Sequence, residues 1–287
     1  MWYNIVIITV TLACIILLKQ LFSSKPNKIK FNFIYFILYF GTSLATFLFL
    51  PMCILRPKDV RNATVIAKVT KHMTKLFGLR WELRNGHILA EDRGAVIVSN
   101  HQSSLDIFGM FDIWEVAQKL SVIAKKQLFY VWPFGLSAYL SGTVFIDRNN
   151  PKSAYKQIQV MSDVLVKNKT KLWIFPEGTR NKDCTKLMPF KRGAFKIAVN
   201  VQVPIIPVVF SPYYFINSKK YLFNKGHVII KFLDPVPTDG LTEEDIPNLM
   251  NRIFEVMQTE YKKLSKEVIE ALPRDYPLAV PLPQTDS

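Results

Sequence analysis

A run of 25 residues without a single charge, Phe31 to Leu55, limits what this 287-residue chain can fold into. About 20 consecutive apolar residues cross the hydrocarbon core of a bilayer, so this run is long enough to span one. A second apolar run, Met1 to Leu18, precedes it and is borderline in length. Residues 1–58 contain no Asp or Glu and six cations: Lys19, Lys25, Lys28, Lys30, Arg56 and Lys58. A cleaved signal peptide has its basic residues ahead of a shorter apolar core and a small-residue cleavage site behind it. Here the cations follow the run, and Lys19-Gln-Leu-Phe22 is a poor cleavage site. Both runs are apolar all round and adjacent, which favours a two-helix membrane anchor over 1–58 rather than buried helices of a soluble core. Gly41, Thr42 and Ser43 suit close helix packing, and Pro51 suits a kink near the end of the second run. Cations flank that run on both sides, so the positive-inside preference pulls both ways.

The chain carries +15 in all, and the 229 residues beyond the anchor carry +9, enough chain for one large domain with a proper core. Residues 59–80 are amphipathic, with Val65, Ile66, Val69, Met73, Leu76 and Phe77 on one side. Such a basic helix either lies on anionic headgroups or covers a sheet. Strands are expected at 95–99, 121–124, 143–147, 172–175, 205–210 and 228–233. Helices are expected at 106–118, 151–168, 191–200 and 243–265. Strands alternating with helices predict an α/β fold, a largely parallel sheet covered by helices, over 59–270. The proline-rich segment 271–287 is expected to be a flexible tail. Three cysteines give no disulfide framework; Cys14 and Cys53 lie in apolar runs and Cys184 in a polar loop.

The chemistry-bearing residues follow the expected strands. No Gly-x-Ser-x-Gly elbow or Walker loop occurs, and the four histidines have no metal-ligand spacing. Ser99-Asn-His-Gln-Ser-Ser-Leu-Asp106 stands where a strand end leads into a helix, the usual place for chemistry in such folds. Five residues apart in one helix, His101 and Asp106 would point about 140° apart. With His101 on the loop and Asp106 in the first helical turn they can meet, the carboxylate holding one imidazole nitrogen and leaving the other to take a proton. Ser103-x-x-Asp106 reads equally well as a helix capping box. Gly142 to Arg148 ends in Asp147-Arg148, a guanidinium able to hold a phosphate bidentately. Phe175-Pro-Glu-Gly-Thr-Arg180 combines a strand-halting proline, a permissive Gly178 and the opposite charges of Glu177 and Arg180. Lys191-Arg192 opens a helix with positive charge, suited to an anion. Val203 to Val209 reads as a core strand.

Together these blocks resemble the glycerolipid acyltransferases. Asn-His-Gln-Ser-Ser-Leu-Asp is similar to that family's N-H-x4-D motif, and 142–148, 175–180 and 203–209 resemble its three later blocks, in the same order. Ala124-Lys125 before Leu128-Phe129 resembles its basic pre-motif segment, with Gln127 where close relatives tend to carry an acid. The resemblance covers residues 55–265 and is nearest to the branch that acylates 1-acylglycerol 3-phosphate. It implies transfer of an acyl chain from acyl-CoA, as co-substrate, to the sn-2 hydroxyl of lysophosphatidic acid, with no cofactor and no metal. It implies His101 as general base oriented by Asp106, with Lys125, Arg148, Glu177, Gly178 and Arg180 binding substrate. Glu177 would order the site or hold a glycerol oxygen, and backbone N–H groups near Gly178 would meet the oxyanion. The implied location is the endoplasmic reticulum membrane with the catalytic face cytosolic, where acyl-CoA is held. A shallow hairpin entering from that side reconciles the anchor with its lysines. The alternatives are an acyltransferase for another lysophospholipid or for glycerol 3-phosphate, and a non-catalytic binder of anionic lipid. Nucleic acid is not an expected partner; only the positive charge speaks for it, and the anchor speaks against it.

Overall fold

The computed structural model describes residues 2–23, 25–146, 165–181 and 185–280. Two helices lead the chain, α1 (Trp2–Phe22) and α2 (Lys28–Leu55). Among the described residues, α2 is the one helix long and apolar enough to cross a membrane; the apolar part of α1, Trp2–Ile16, is shorter. Asn27 caps α2, its side chain accepting the Lys30 N–H at 3.0 Å.

Within the segment expected as an anchor, α2 is not a body apart from the domain. The inner face of α2 (Phe31, Ile34, Leu38) belongs to the same buried core as the sheet. Its far half packs Cys53 against Ile66 and Leu140. The outer face stays exposed, including Phe36, Phe40, Leu44, Phe47 and Leu48. An all-apolar sequence cannot reveal this division, because only the partner surfaces decide which stripe is covered.

Residues 59–80 form a shorter helix than expected, α3 (Arg61–Thr70), followed by a 3-10 turn at Met73–Phe77 and then a strand, β1 (Leu79–Arg84). Leu79-Arg-Trp-Glu-Leu-Arg84 alternates apolar and charged residues, the mark of a half-covered edge strand. The remaining elements follow as β2 (Ala95–Ser99), α4 (Asp106–Ala117), β3 (Leu120–Lys125), α5 (Phe134–Leu140), β4 (Val144–Ile146), β5 (Lys171–Ile174), α6 (Gly193–Val201), β6 (Ile205–Phe210), β7 (Ile216–Asn217), β8 (Leu222–Phe223), β9 (Gly226–Phe232) and α7 (Ile246–Glu270). The expected helix at 151–168 falls largely outside the described residues.

Among the described residues, seven strands make one sheet in the order β1-β9-β6-β2-β5-β3-β4, while β7 and β8 pair separately. Every pairing in the large sheet is parallel except β6 with β9. The largely parallel expectation holds, with helices on both faces. Alternate residues of a strand point to opposite faces. On β9, Ile230 meets the α4 side at Gly109, while Lys231 reaches Glu260 of α7 at 2.7 Å. The central strand β2 is buried at all five positions. Its neighbours β5 and β6 leave it no edge, so the chain leaving its C-terminal end enters a crevice between two strand ends.

The segment beyond residue 270 is not a free tail as far as Val280. Ala279 donates its N–H to the Tyr214 carbonyl at 2.8 Å, and the side chains of Asn224 and Asn217 donate to the Pro277 and Ala279 carbonyls. Proline removes donors but leaves carbonyls, and these satisfy the asparagines.

Candidate active site

The loop after β2 retains the alternation of a strand for three residues. Asn100 and Gln102 turn to one side and are clamped to the end of β6 and the residues just beyond it. Asn100 donates to the Phe210 carbonyl at 3.0 Å and accepts the Phe210 N–H at 2.8 Å. Gln102 donates to the Ser211 carbonyl at 2.9 Å and accepts the Tyr213 N–H at 3.1 Å. Both amides are buried, so each bond satisfies groups that would be costly to leave unpaired. His101 faces the other way. Its ring stacks on Phe175 at 4.1 Å and 19°, and its carbonyl accepts the Asn181 N–H at 2.6 Å.

Asp106 is the first residue of α4 and is 2% exposed. Its Oδ2 lies 2.6 Å from His101 Nδ1 and accepts the Gln102 N–H at 2.9 Å, while Oδ1 accepts the Ser103 N–H at 3.0 Å. The two sequence readings, capping and pairing, therefore describe one carboxylate in two duties. It reaches back to Ser103 as a capping-box acid does, and it fixes the imidazole through Nδ1, leaving Nε2 on the far side of the ring. The Ser103 hydroxyl accepts the Leu105 N–H rather than that of Asp106, so the box is half formed.

Beside this pair, after β5, Phe175–Arg180 makes a tight turn. Gly178 has φ +73°, a conformation open to glycine, and its N–H donates to the Phe175 carbonyl at 3.1 Å. That amide closes the turn. A Cβ at Gly178 would meet the end of the Lys191 side chain at 2.9 Å, so the turn and the basic start of α6 are in close contact. Lys191 also donates its backbone N–H to the Pro176 carbonyl at 2.8 Å.

Glu177 is 2% exposed, and the backbone amides of His101 and Met188 approach its carboxylate without reaching full hydrogen-bond geometry. Burial pushes its pKa up to about 8, with nearby Asp106 adding to the rise and the His101 and Met188 backbone amides opposing it. Of the two roles expected from the sequence, this enclosure favours ordering the site over holding a glycerol oxygen.

Arg180 is exposed and faces α2, where its charge bears on Tyr35 and Tyr39. Those tyrosines lie beside Ser103 and Ser104, and Tyr39 also meets Phe108 edge-on at 5.9 Å. The apolar helix thus forms one wall beside the loop that carries His101. Lys125 is exposed at the end of β3, paired in register with Ile146 of β4. Arg148, two residues beyond Ile146, lies outside the described residues, as do Asp147 and Cys184. Among the described residues no cluster of His, Cys, Asp or Glu could hold a metal ion.

Sequence reasoning passed over Asn100, Gln102, Phe175, Tyr35 and Tyr39. The first two carried a signal: amides two apart around a histidine at a strand end, which is strand periodicity continued. The stacking on Phe175 and the approach of α2 join distant segments and leave no local trace.

A family model described as Acyltransferase matches residues 80–211. Human 1-acyl-sn-glycerol-3-phosphate acyltransferase beta is 40% identical over 218 residues, 75% of this chain and 77% of that protein. The human alpha form is 37% identical over 219 residues, 76% of each. In fold, the chain is similar to the crystal structure of PlsC, the 1-acyl-sn-glycerophosphate acyltransferase from Thermotoga maritima, with a TM-score of 0.64 and 24% identity. That likeness covers 82% of this chain and 94% of PlsC.

Proposed function

The chain belongs to the acyltransferase family, and from that premise we propose that it moves an acyl chain from acyl-CoA to the sn-2 hydroxyl of 1-acyl-sn-glycerol 3-phosphate. The products are phosphatidic acid and CoA. The observation that carries this reading is the 2.6 Å contact of His101 Nδ1 with a buried Asp106 that is itself held by two backbone amides.

The thioester donor is already activated, so the chemical deficit is the acceptor hydroxyl, whose pKa is too high for unaided attack. Nε2 of His101 takes the hydroxyl proton as the oxygen attacks the thioester carbonyl. Asp106 keeps the imidazole in the required tautomer and stabilises the imidazolium. The C–S bond then breaks, and the imidazolium returns the proton to the departing sulfur. A positioned base of this kind contributes on the order of 10²–10⁴-fold.

Lys125, Arg148 and Arg180 hold the acceptor's phosphate, Arg180 from the α2 side and Lys125 from the end of β3. Glu177 and Gly178 shape the turn that seats them. Residues 1–58 anchor the chain in the endoplasmic reticulum membrane, and the domain beginning at residue 59 faces the cytosol. Partners are lysophosphatidic acid, acyl-CoA and membrane lipid, with no metal or other cofactor required by the chemistry.

The test uses purified membranes, labelled oleoyl-CoA and a panel of lyso-acceptors including glycerol 3-phosphate. Label should enter phosphatidic acid when lysophosphatidic acid is supplied and should require acyl-CoA. Transfer only to another acceptor, or transfer that persists without acyl-CoA, overturns the assignment.

A further inference from the structure

We propose that the segment Leu128–Trp132 is a second membrane-contact element, seated at the headgroup–acyl boundary of an anionic bilayer beside the outer face of α2. This rests on the membrane-anchor reading above and adds a surface that the two leading helices do not contain. Tyr130 is 72% exposed, Val131 51% and Trp132 66%, three consecutive large side chains turned outward from a folded domain. A soluble surface scatters such residues singly, and a contiguous patch marks an interaction site.

Their outward direction is built in. Val131 donates its N–H to the Leu128 carbonyl at 3.2 Å, and Gly135 donates to the Val131 carbonyl at 2.7 Å. A Cβ at Gly135 would stand 1.9 Å from the Phe129 carbonyl oxygen, so the backbone closes on itself there. Phe129 roots the segment edge-on against Tyr139 at 5.8 Å and Phe145 at 5.6 Å.

Three observations name a bilayer as the occupant. The patch is continuous with the exposed apolar face of α2, since Trp132 meets Phe47 of α2 at 5.8 Å. Its chemistry is interfacial, Tyr and Trp joining an apolar ring to a polar group. Its rim is basic: Lys125 and Lys126 precede it, Lys58 lies 5.3 Å over the Tyr139 ring, and residues 119–146 contain no acid. Cations around an apolar crown match an anionic lipid surface. The segment leaves β3 at the same end of the sheet from which His101 leaves β2, so its docking turns the catalytic loop toward the membrane that carries a lipid acceptor.

The full-length chain is reconstituted in phosphatidylcholine–phosphatidylserine vesicles whose lipids are brominated at shallow acyl positions. Trp2 and Trp132 are the exposed tryptophans, so the measurement uses a Trp2→Phe background. There, bromolipid should quench the indole fluorescence, and adding Trp132→Phe should remove most of that quenching. Tyr130→Ser with Trp132→Ser should lower the rate on vesicle-borne acceptor severalfold while leaving the rate on detergent-dispersed acceptor unchanged. Equal quenching with and without Trp132 on vesicle-bound protein overturns this proposal alone, and the quenching needs no catalysis to be read. A wild-type chain that does not bind vesicles overturns the anchor and this proposal together. Self-association that the serine variants abolish, without quenching, assigns the patch to a second copy and overturns it as well.

Discussion

Nδ1 of His101 lies 2.6 Å from Oδ2 of Asp106, and that carboxylate also accepts the N–H groups of Gln102 and Ser103. Aiming the imidazole and closing its loop are thus one task for one side chain. His101→Ala should lower kcat by about 10²–10⁴-fold while the protein still accumulates in membranes. Asp106→Asn should fall nearly as far and also lower the melting temperature, because a single amide oxygen cannot serve all three donors. If His101→Ala keeps more than about a tenth of the wild-type rate, under about 1.4 kcal/mol of barrier, the base assignment is wrong.

Glu177 gives a pH dependence of stability. Its carboxyl stays protonated in the folded chain up to about pH 8, whereas in the unfolded chain it ionises near its ordinary value of 4.5. Between those values folding takes up a proton, so stability falls as pH rises, with a slope approaching about 1.4 kcal/mol per pH unit. Glu177→Gln should flatten this part of the curve. Denaturant unfolding at several pH values reads it directly, and parallel curves for the two proteins would refute the neutral buried carboxyl.

The proposed phosphate contacts separate binding from chemistry. Arg180→Ala, Arg148→Ala and Lys125→Ala should each raise KM for the lyso-acceptor more than for acyl-CoA, with kcat less affected. Arginine-to-lysine changes should rescue only in part, since a point charge lacks the planar fork. A KM effect confined to acyl-CoA would move that residue to the coenzyme side.

Asn100→Ala removes two hydrogen bonds, stranding the buried N–H of Phe210 and leaving its carbonyl only the 3.4 Å bond from Gln102. A stranded group costs about 1–3 kcal/mol. Stability and kcat should therefore fall together, the first in a thermal melt and the second in saturating substrate. Wild-type stability in this variant would mean that the clamp contributes nothing.

Two sequons provide a topology probe. Asn62 is fully buried and its side chain donates to the Arg56 and Leu140 carbonyls, so a glycan there is incompatible with the fold. Asn168 is exposed. A cytosolic domain should carry no glycan at Asn168, and a glycosidase-sensitive mobility shift removed by Asn168→Gln would put the domain in the lumen. Accessibility of cysteines placed in the 19–30 loop, before and after permeabilisation, gives the positive half of the same test.

The parts of the fold legible in sequence are those whose signal is local. Ala95–Ser99 and Ile205–Phe210 are apolar runs of strand length, and α4 and α6 lie close to the segments that periodicity selects. The His101–Asp106 meeting followed from placing a loop before a helix. What escaped was set by partners far along the chain. The inner stripe of α2 is defined by the domain it covers, and the packing of residues 276–279 by asparagines some 50–60 positions earlier. Glu177 was visible as a charge after a strand, but its burial exists only once the turn is folded.

The amide clamps of Asn100 and Gln102 have a mechanical consequence. Because both grip the chain at residues 210–213, the imidazole between them is surveyed from the middle of the sheet. It does not hang from the two leading helices. Seated on a bilayer as proposed, a molecule that rocks, sinks or tilts as lipids move beneath it can therefore keep its proposed proton acceptor in register. The bilayer can jostle the scaffold without detuning the chemistry.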